Sequence, residues 1–350
     1  MDTRRDKVID FRSDTVTTPT ERMRDAMRDA AVGDDVLDED PTVDRLERKA
    51  AEIFGKEDCL FVVSGTMANQ IAVLALCQRG DQVIVLDQSH IFNLEVGGLS
   101  STCGVQPRAM PAFEGRIDPD SVEKEIFAAD TQRSPTTLLC LENTCDLNRG
   151  LPLAPMITNP ITQLAHQRGL KTYLDGARIF NASVALDLPV SNLCEDFDVV
   201  AACLSKGLAC PVGSVLGGTS EFIAAARRMR QRLGGGWRQA GILAAAGIVA
   251  LEEMIDRLED DHANAHCLAE GLLSMGFGID LEQVKTNIVH VGLEHVAFGE
   301  LEFERRLAEM GIRVKVIGKE QIRMVTHKDI LEADIENTLD SIRQVLRAKS

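Results

Sequence analysis

Along most of this chain, short uninterrupted apolar runs alternate with longer segments of helical period. The runs are "CLFVV" at 59–63, "QVIVLD" at 82–87, "TTLLCLEN" at 136–143, "KTYLD" at 171–175, "DVVAACLS" at 198–205 and "GSVLGG" at 213–218. A strand with one wet face alternates apolar and polar residues, whereas a continuous run belongs to a strand covered on both sides. The pattern therefore predicts an α/β fold with a mainly parallel sheet between helices. "PTVDRLERKAAEIFG", 41–55, has proline at the first helical position and glycine past the last turn, which predicts a capped amphipathic helix. "SGTMANQIAVLAL", 64–76, predicts another helix, opened by Ser-Gly-Thr.

After a helical stretch at 242–276 the pattern restarts as "NIVHVGL", a helix over 297–310, "IRVKVIG", "IRMVTH" and a last helix. This predicts a smaller α+β domain. The expected division is a large domain over 41–250 and a small C-terminal domain over 251–350, to which residues 1–40 contribute. A chain of 350 residues is long enough for two such units.

Composition narrows the function classes. Hydrophobic residues at 45% and charged residues at 26% fit a globular protein rather than a disordered one. A formal charge of −16, without an offsetting basic cluster, argues against nucleic acid as a partner. The start "MDTRRDKVIDFRSDT" lacks the apolar core of an export signal, and the apolar stretch 240–251 is too short to span a bilayer. Nine cysteines, with no CxxC pair, point to reduced thiols, most of them small core residues, and so to a cytoplasmic location. His262 and His266 have a metal-compatible spacing but no accompanying carboxylate motif, and they read as a solvated face. Arg227, Arg228, Arg230 and Arg232 read as a surface or subunit-contact stretch.

In a covered α/β sheet, ligands bind beyond the carboxyl ends of the strands. Gly65 and Thr66 stand there at a helix start, where free amides and the helix dipole favour a phosphate. Asp175 ends one strand and Lys206 follows another, among the small residues of "CLSKGLACPVGSVLGG". A lysine amine can form a Schiff base with an aldehyde, and an aspartate can keep a pyridinium nitrogen protonated. Together these are what pyridoxal 5'-phosphate needs.

Seven blocks in order, "DFRSDTVTTPT", "GDDVLDEDPTV", "SGTMANQ", "LENT", "LDGARIFNA", "LSKGLACPVGS" and "GGGWRQAGILAAAG", resemble those of the low-specificity L-threonine aldolase and β-eliminating lyase family. The resemblance implies the fold type I architecture of pyridoxal phosphate enzymes. It further implies that Lys206 carries the cofactor, that Asp175 pairs with the ring nitrogen, and that Gly65, Thr66 and Ser205 hold the phosphate. His90 of "DQSH" then matches the histidine stacked on the ring. Ser13, Arg178 and Arg323 match the groups that hold the substrate carboxylate. Arg238 of "GGGWRQ" matches a residue reaching the phosphate from a neighbouring subunit, in a homodimer or homotetramer with shared sites.

Two blocks depart from the family pattern. Leu37 and Asp38 stand where tyrosine and glycine are usual, and Cys145 follows "LENT" where histidine is usual. The first expectation is retro-aldol cleavage of a β-hydroxy-α-amino acid to glycine and an aldehyde, with His90 as base. Loss of two hydroxyl-recognising groups keeps open an alanine racemase, with Lys206 on one face and Cys145 or His90 on the other. A thiol serves there only where its surroundings lower its pKa. β-Elimination and a non-catalytic cofactor-binding homologue are the remaining readings.

Overall fold

Six of the seven strands of the central sheet are the apolar runs read from the sequence. In a computed structural model describing residues 8–347, β1 (Ile9–Asp10) precedes this sheet, which comprises β2 (Asp58–Val62), β3 (Gln82–Leu86), β4 (Gln106–Met110), β5 (Thr136–Glu142), β6 (Lys171–Asp175), β7 (Val199–Cys203) and β8 (Ser214–Gly218). Their spatial order is β2-β8-β7-β6-β5-β3-β4, and only β8 runs against its neighbours. The strand without an apolar run is β4. It lies at the sheet edge, alternates exposed and half-buried positions, and contains Pro107, which an edge tolerates.

The covered sheet explains the unbroken apolar runs. In β5, Leu139 and Leu141 enter one core with the helices Pro41–Phe54, Pro155–Gln167 and Gly241–Glu253, while Leu138 and Cys140 enter another with Gly65–Leu76 and Ser220–Arg232. Alternate side chains of one strand thus fill opposite layers. The caps follow the sequence signals: Asp40 accepts from the Thr42 and Val43 amides ahead of Pro41, and Gly55 closes that helix at φ 66.

Beyond this sheet, β9 (Ile288–Gly292), β11 (Lys315–Gly318) and β12 (Gln321–Val325) form an antiparallel sheet in the order β11-β12-β9, and β10 (Ile312–Arg313) pairs with β1. A separate core of Phe303, Leu307, Ile335 and Ile342 backs it. The N-terminal segment divides between the two bodies: Ile9 and Phe11 join this smaller core, whereas Met23 packs into the large one.

The stretch 242–276 is helical as read and divides into two helices, Gly241–Glu253 and Leu258–Ser274, while two other expectations are corrected. Met254 and Leu258 remain in the large core, while Ala265, Leu268 and Leu272 enter the small one. The basic stretch at 227–232 is not simply surface. Arg227 and Arg230 share a helix face three residues apart and turn inward to Glu47 and Asp35. His262 is not solvated either: its Nε2 accepts from the Asn181 amide at 3.1 Å, and burial lowers its pKa to about 4. His266 does remain exposed.

Among the described residues all nine cysteines are free, and seven of them are buried. No helix among those residues is long and apolar enough to cross a membrane. The first seven residues, part of the segment read as lacking an export signal, lie outside the described residues.

Candidate active site

The ends of β3, β5, β6 and β7 converge on one crevice. Asp175, the last residue of β6, is buried; one carboxylate oxygen accepts from the Ala177 amide at 3.1 Å and the other from Asn69 Nδ2 at 2.9 Å. Asn69 also donates to Glu95 Oε1 at 2.5 Å and accepts from the Tyr173 hydroxyl. Glu95 in turn accepts from His90 Nδ1 at 2.8 Å. An ionised carboxylate can only accept, so Nδ1 carries the proton, and in the neutral ring Nε2 keeps its lone pair. The Glu95 hydrogen bond raises the His90 pKa against the opposing effect of burial, and burial raises that of Glu95.

Lys206 follows β7, the strand paired with β6, so it stands one strand away from Asp175. Lys206 is half-buried, and its side-chain nitrogen has no ion-pair partner within 4.0 Å among the described residues. Its backbone carbonyl accepts from Thr17 Oγ1 at 2.9 Å, which ties the N-terminal segment to this turn. Ser205 precedes it in the same turn.

Gly65 opens the helix Gly65–Leu76 behind these groups. A Cβ there would meet Cys203 Sγ at 2.9 Å, so the close packing of this helix start onto β7 requires glycine. Ser64 caps the Met67 amide at 3.2 Å. The amides of Gly65 and Thr66 precede the helical ladder and remain available to an anion.

A second cluster lies across the junction of the two bodies. Arg178 donates from Nε and Nη2 to Asp14, both at 2.7 Å, and from Nη1 to Asp146 at 2.8 Å. Arg323 of β12 donates from Nη1 to the other Asp146 oxygen at 2.8 Å and from Nη2 to the Arg12 carbonyl at 3.2 Å. All four side chains are buried, and Arg323 Nε has no partner. Burial pulls the Arg178 pKa down, but Asp14 and Asp146 outweigh it and hold it above the ordinary value. Burial likewise raises Asp146, yet Arg178, Arg323 and Lys206 together hold it well below the usual carboxylate range. Ser13, beside Asp14, accepts from the Thr15 amide at 3.2 Å and the Thr15 hydroxyl at 2.9 Å.

The departures from the family pattern have local explanations. Cys145 is 1% exposed, and its Sγ faces the Gln88 carbonyl at 3.5 Å. Burial, and after it the Glu142 carboxylate, drives its thiol pKa up, the opposite of what proton exchange through Cys145 requires. Asp38 has φ 59, the left-handed region in which glycine is at ease and aspartate is tolerated. Leu37 beside it is 64% exposed. Arg238 is also exposed, paired with Asp34 of its own chain at 3.0 Å.

Thus the fold gathers Lys206, Asp175, His90, Gly65, Thr66 and Ser205 at the sheet ends, with Arg178 and Arg323 beside them, and leaves Arg238 on the surface. The sequence reading passed over Asp14, Asn69, Glu95, Glu142 and Asp146. Asn69 carries a visible signal, an amide within the otherwise apolar "ANQIAVLAL". Glu142 ends β5 and accepts from the amides of both His90 and Asp146, at 2.7 and 2.8 Å, with its pKa pushed up to about 8 by burial and by Asp175. The donor set fits pyridoxal phosphate: an unpaired lysine, a buried carboxylate one strand away, and a glycine-opened helix start.

Comparison with known proteins points the same way. Residues 10–295 match the sequence profile of the β-eliminating lyases. The chain is 43% identical to low-specificity L-threonine aldolase 1 of Arabidopsis thaliana, over 97% of this chain and 96% of that protein. It is 40% identical to the low specificity L-threonine aldolase of Escherichia coli K12, over 92% and 95% respectively. Among solved structures, Leishmania major threonine aldolase superposes with a TM-score of 0.83 over 97% of this chain and 99% of that one, at 18% identity. The chain therefore belongs to the family of β-eliminating lyases and low-specificity L-threonine aldolases.

Proposed function

We propose that the protein is a pyridoxal phosphate-dependent lyase that cleaves L-threonine or L-allo-threonine to glycine and an aldehyde. The observation that carries this reading is the half-buried, unpaired Lys206 one strand from the buried Asp175, in a chain whose close relatives are threonine aldolases. When bound, pyridoxal phosphate supplies an aldehyde carbon that takes amines and a protonated ring that withdraws electrons from Cα.

The chain's own residues do the rest. Asp175 holds the proton on the ring nitrogen, and its hydrogen bond from Asn69 fixes the carboxylate. Gly65, Thr66 and Ser205 bind the phosphate. Lys206 would hold the cofactor through its side-chain amine. Ser13, Arg178 and Arg323 would fix the α-carboxylate and so orient the rest of the substrate. His90 would flank the cofactor ring, and its Nε2 would take the β-hydroxyl proton.

Racemisation finds less support, because the thiol it would use at Cys145 is buried and its pKa is raised. The test is parallel assay of aldehyde release from L-threonine and L-allo-threonine and of D-alanine formation from L-alanine. Aldehyde release dominates on this reading. Rapid formation of D-alanine without aldehyde release would overturn it. The assembly is a homodimer or homotetramer in which Arg238 reaches a neighbour's phosphate, acting on a small amino-acid substrate in the cytoplasm.

A further inference from the structure

We propose that Asp146 is a resident carboxylate that competes with the substrate's own carboxylate for Arg178 and Arg323, and so sets how tightly the site holds an α-amino acid. The proposal rests on the reading of those arginines as the carboxylate anchor. Its starting point is geometric. Asp146 places one oxygen on Arg178 Nη1 and the other on Arg323 Nη1, each at 2.8 Å. Bridging two guanidiniums with two oxygens is how an incoming carboxylate would itself be held.

Charge leads to the same place. Arg178 and Arg323 face Asp14 and Asp146, so the four groups sum to zero and offer little net attraction to a monoanion. Removal of the charge at Asp146 alone leaves one positive charge. Without it the two buried guanidiniums would share only Asp14, which lies on Arg178, and Arg323 would lack a counter-charge, which gives the resting protein a reason to keep an internal carboxylate there.

Asp146, rather than Asp14, is the exchangeable partner. Asp14 is 0% exposed and held by four donors: Arg178 Nε and Nη2, Asn287 Nδ2 and Ser13 Oγ. Asp146 starts a single short turn, Asp146–Asn148, and lines a cavity of about 310 Å³ together with Gln88, His290, Gln321 and Arg323. Arg323 Nε, still unpartnered, gives the anchor a hydrogen bond that Asp146 does not satisfy.

The test uses 3-hydroxybutyrate, which has the carboxylate and hydroxyl of threonine but no amine, so that binding is independent of the cofactor. Its dissociation constant is measured by calorimetry on the full-length apoprotein, on Asp146→Asn and on Arg323→Met. A parallel glycine titration of the visible band is made on the cofactor-loaded proteins. Asp146→Asn is expected to bind both probes about tenfold more tightly, the equivalent of one released charge-assisted hydrogen bond, and Arg323→Met to lose the 3-hydroxybutyrate site. If Asp146→Asn binds equally or less well while Arg323→Met still loses binding, Asp146 is a scaffold. The proposal then falls and the anchor reading stands. If Arg323→Met binds like the unmodified protein, the anchor reading falls and takes the proposal with it. Should Asp146→Asn fail to fold, Asp146→Ser carries the same expectation.

Discussion

Glu95 governs the protonation of His90, and this sets a pH signature. Its hydrogen bond raises the histidine pKa, so the neutral imidazole that acts as base is lost as the pH falls through that raised value. Glu95→Gln keeps an acceptor for Nδ1 but removes the charge. The His90 pKa then falls, and the acidic limb of the pH–kcat profile moves to lower pH. His90→Phe, which keeps a stacked ring, should lower kcat by about 10²-fold or more across the profile. A limb that stays in place in Glu95→Gln would separate Glu95 from the chemistry. Lys206, Asp175 and Gly65 are legible in the sequence because each stands at the end of a recognisable run. Glu95 and Asp146 are not, since their roles exist only through partners such as Asn69, Arg178 and Arg323 that the chain brings from elsewhere.

At the scale of elements, burial on two faces writes itself into composition, which is why β2, β3, β5, β6, β7 and β8 could be read directly. The edge strand β4 has no such signature. The helix Ser220–Arg232 failed for a different reason: its arginines look like surface until Asp35 and Glu47 are known to lie beneath them, and those lie 195 and 180 residues away in the chain. The buried Arg230–Asp35 pair, at 2.6 Å, shows the cost of that arrangement. Burial is the largest influence on both groups, raising the Asp35 pKa and lowering that of Arg230, so desolvation outweighs their attraction. Asp35→Asn strands a buried guanidinium and should destabilise the fold by about 3 kcal/mol, whereas Arg230→Met with Asp35→Leu should cost much less than Asp35→Asn alone. Denaturant unfolding of the two variants checks this. Equal losses in both would mean that the pair contributes through packing rather than charge.

At the scale of the whole molecule, exposed apolar side chains stand near His90 and Arg238. Directly after His90, Phe92 and Leu94 are exposed, and Val96 is fully exposed at φ 53, a conformation unusual for a β-branched residue. Val36 and Leu37 are exposed on the segment whose Asp35 amide bonds the Arg238 carbonyl at 3.0 Å, so Arg238 shares their surface. Apolar side chains bordering a catalytic crevice are what a second copy would cover. If Arg238 serves the neighbour's phosphate, each complete site takes Lys206 from one chain and Arg238 from the other. Lys206→Ala and Arg238→Ala homo-oligomers should then both be impaired, Lys206→Ala almost completely. Unfolded together and refolded as a mixture, they form hybrids in which one site carries both substitutions and the other carries neither. Random pairing makes half the dimers hybrid, so activity should return to about a quarter of the unsubstituted level, above any residual activity of Arg238→Ala alone. Recovery no greater than the average of the two separate variants would place Arg238 outside the neighbour's site, with its ion pair to Asp34 as its whole contribution.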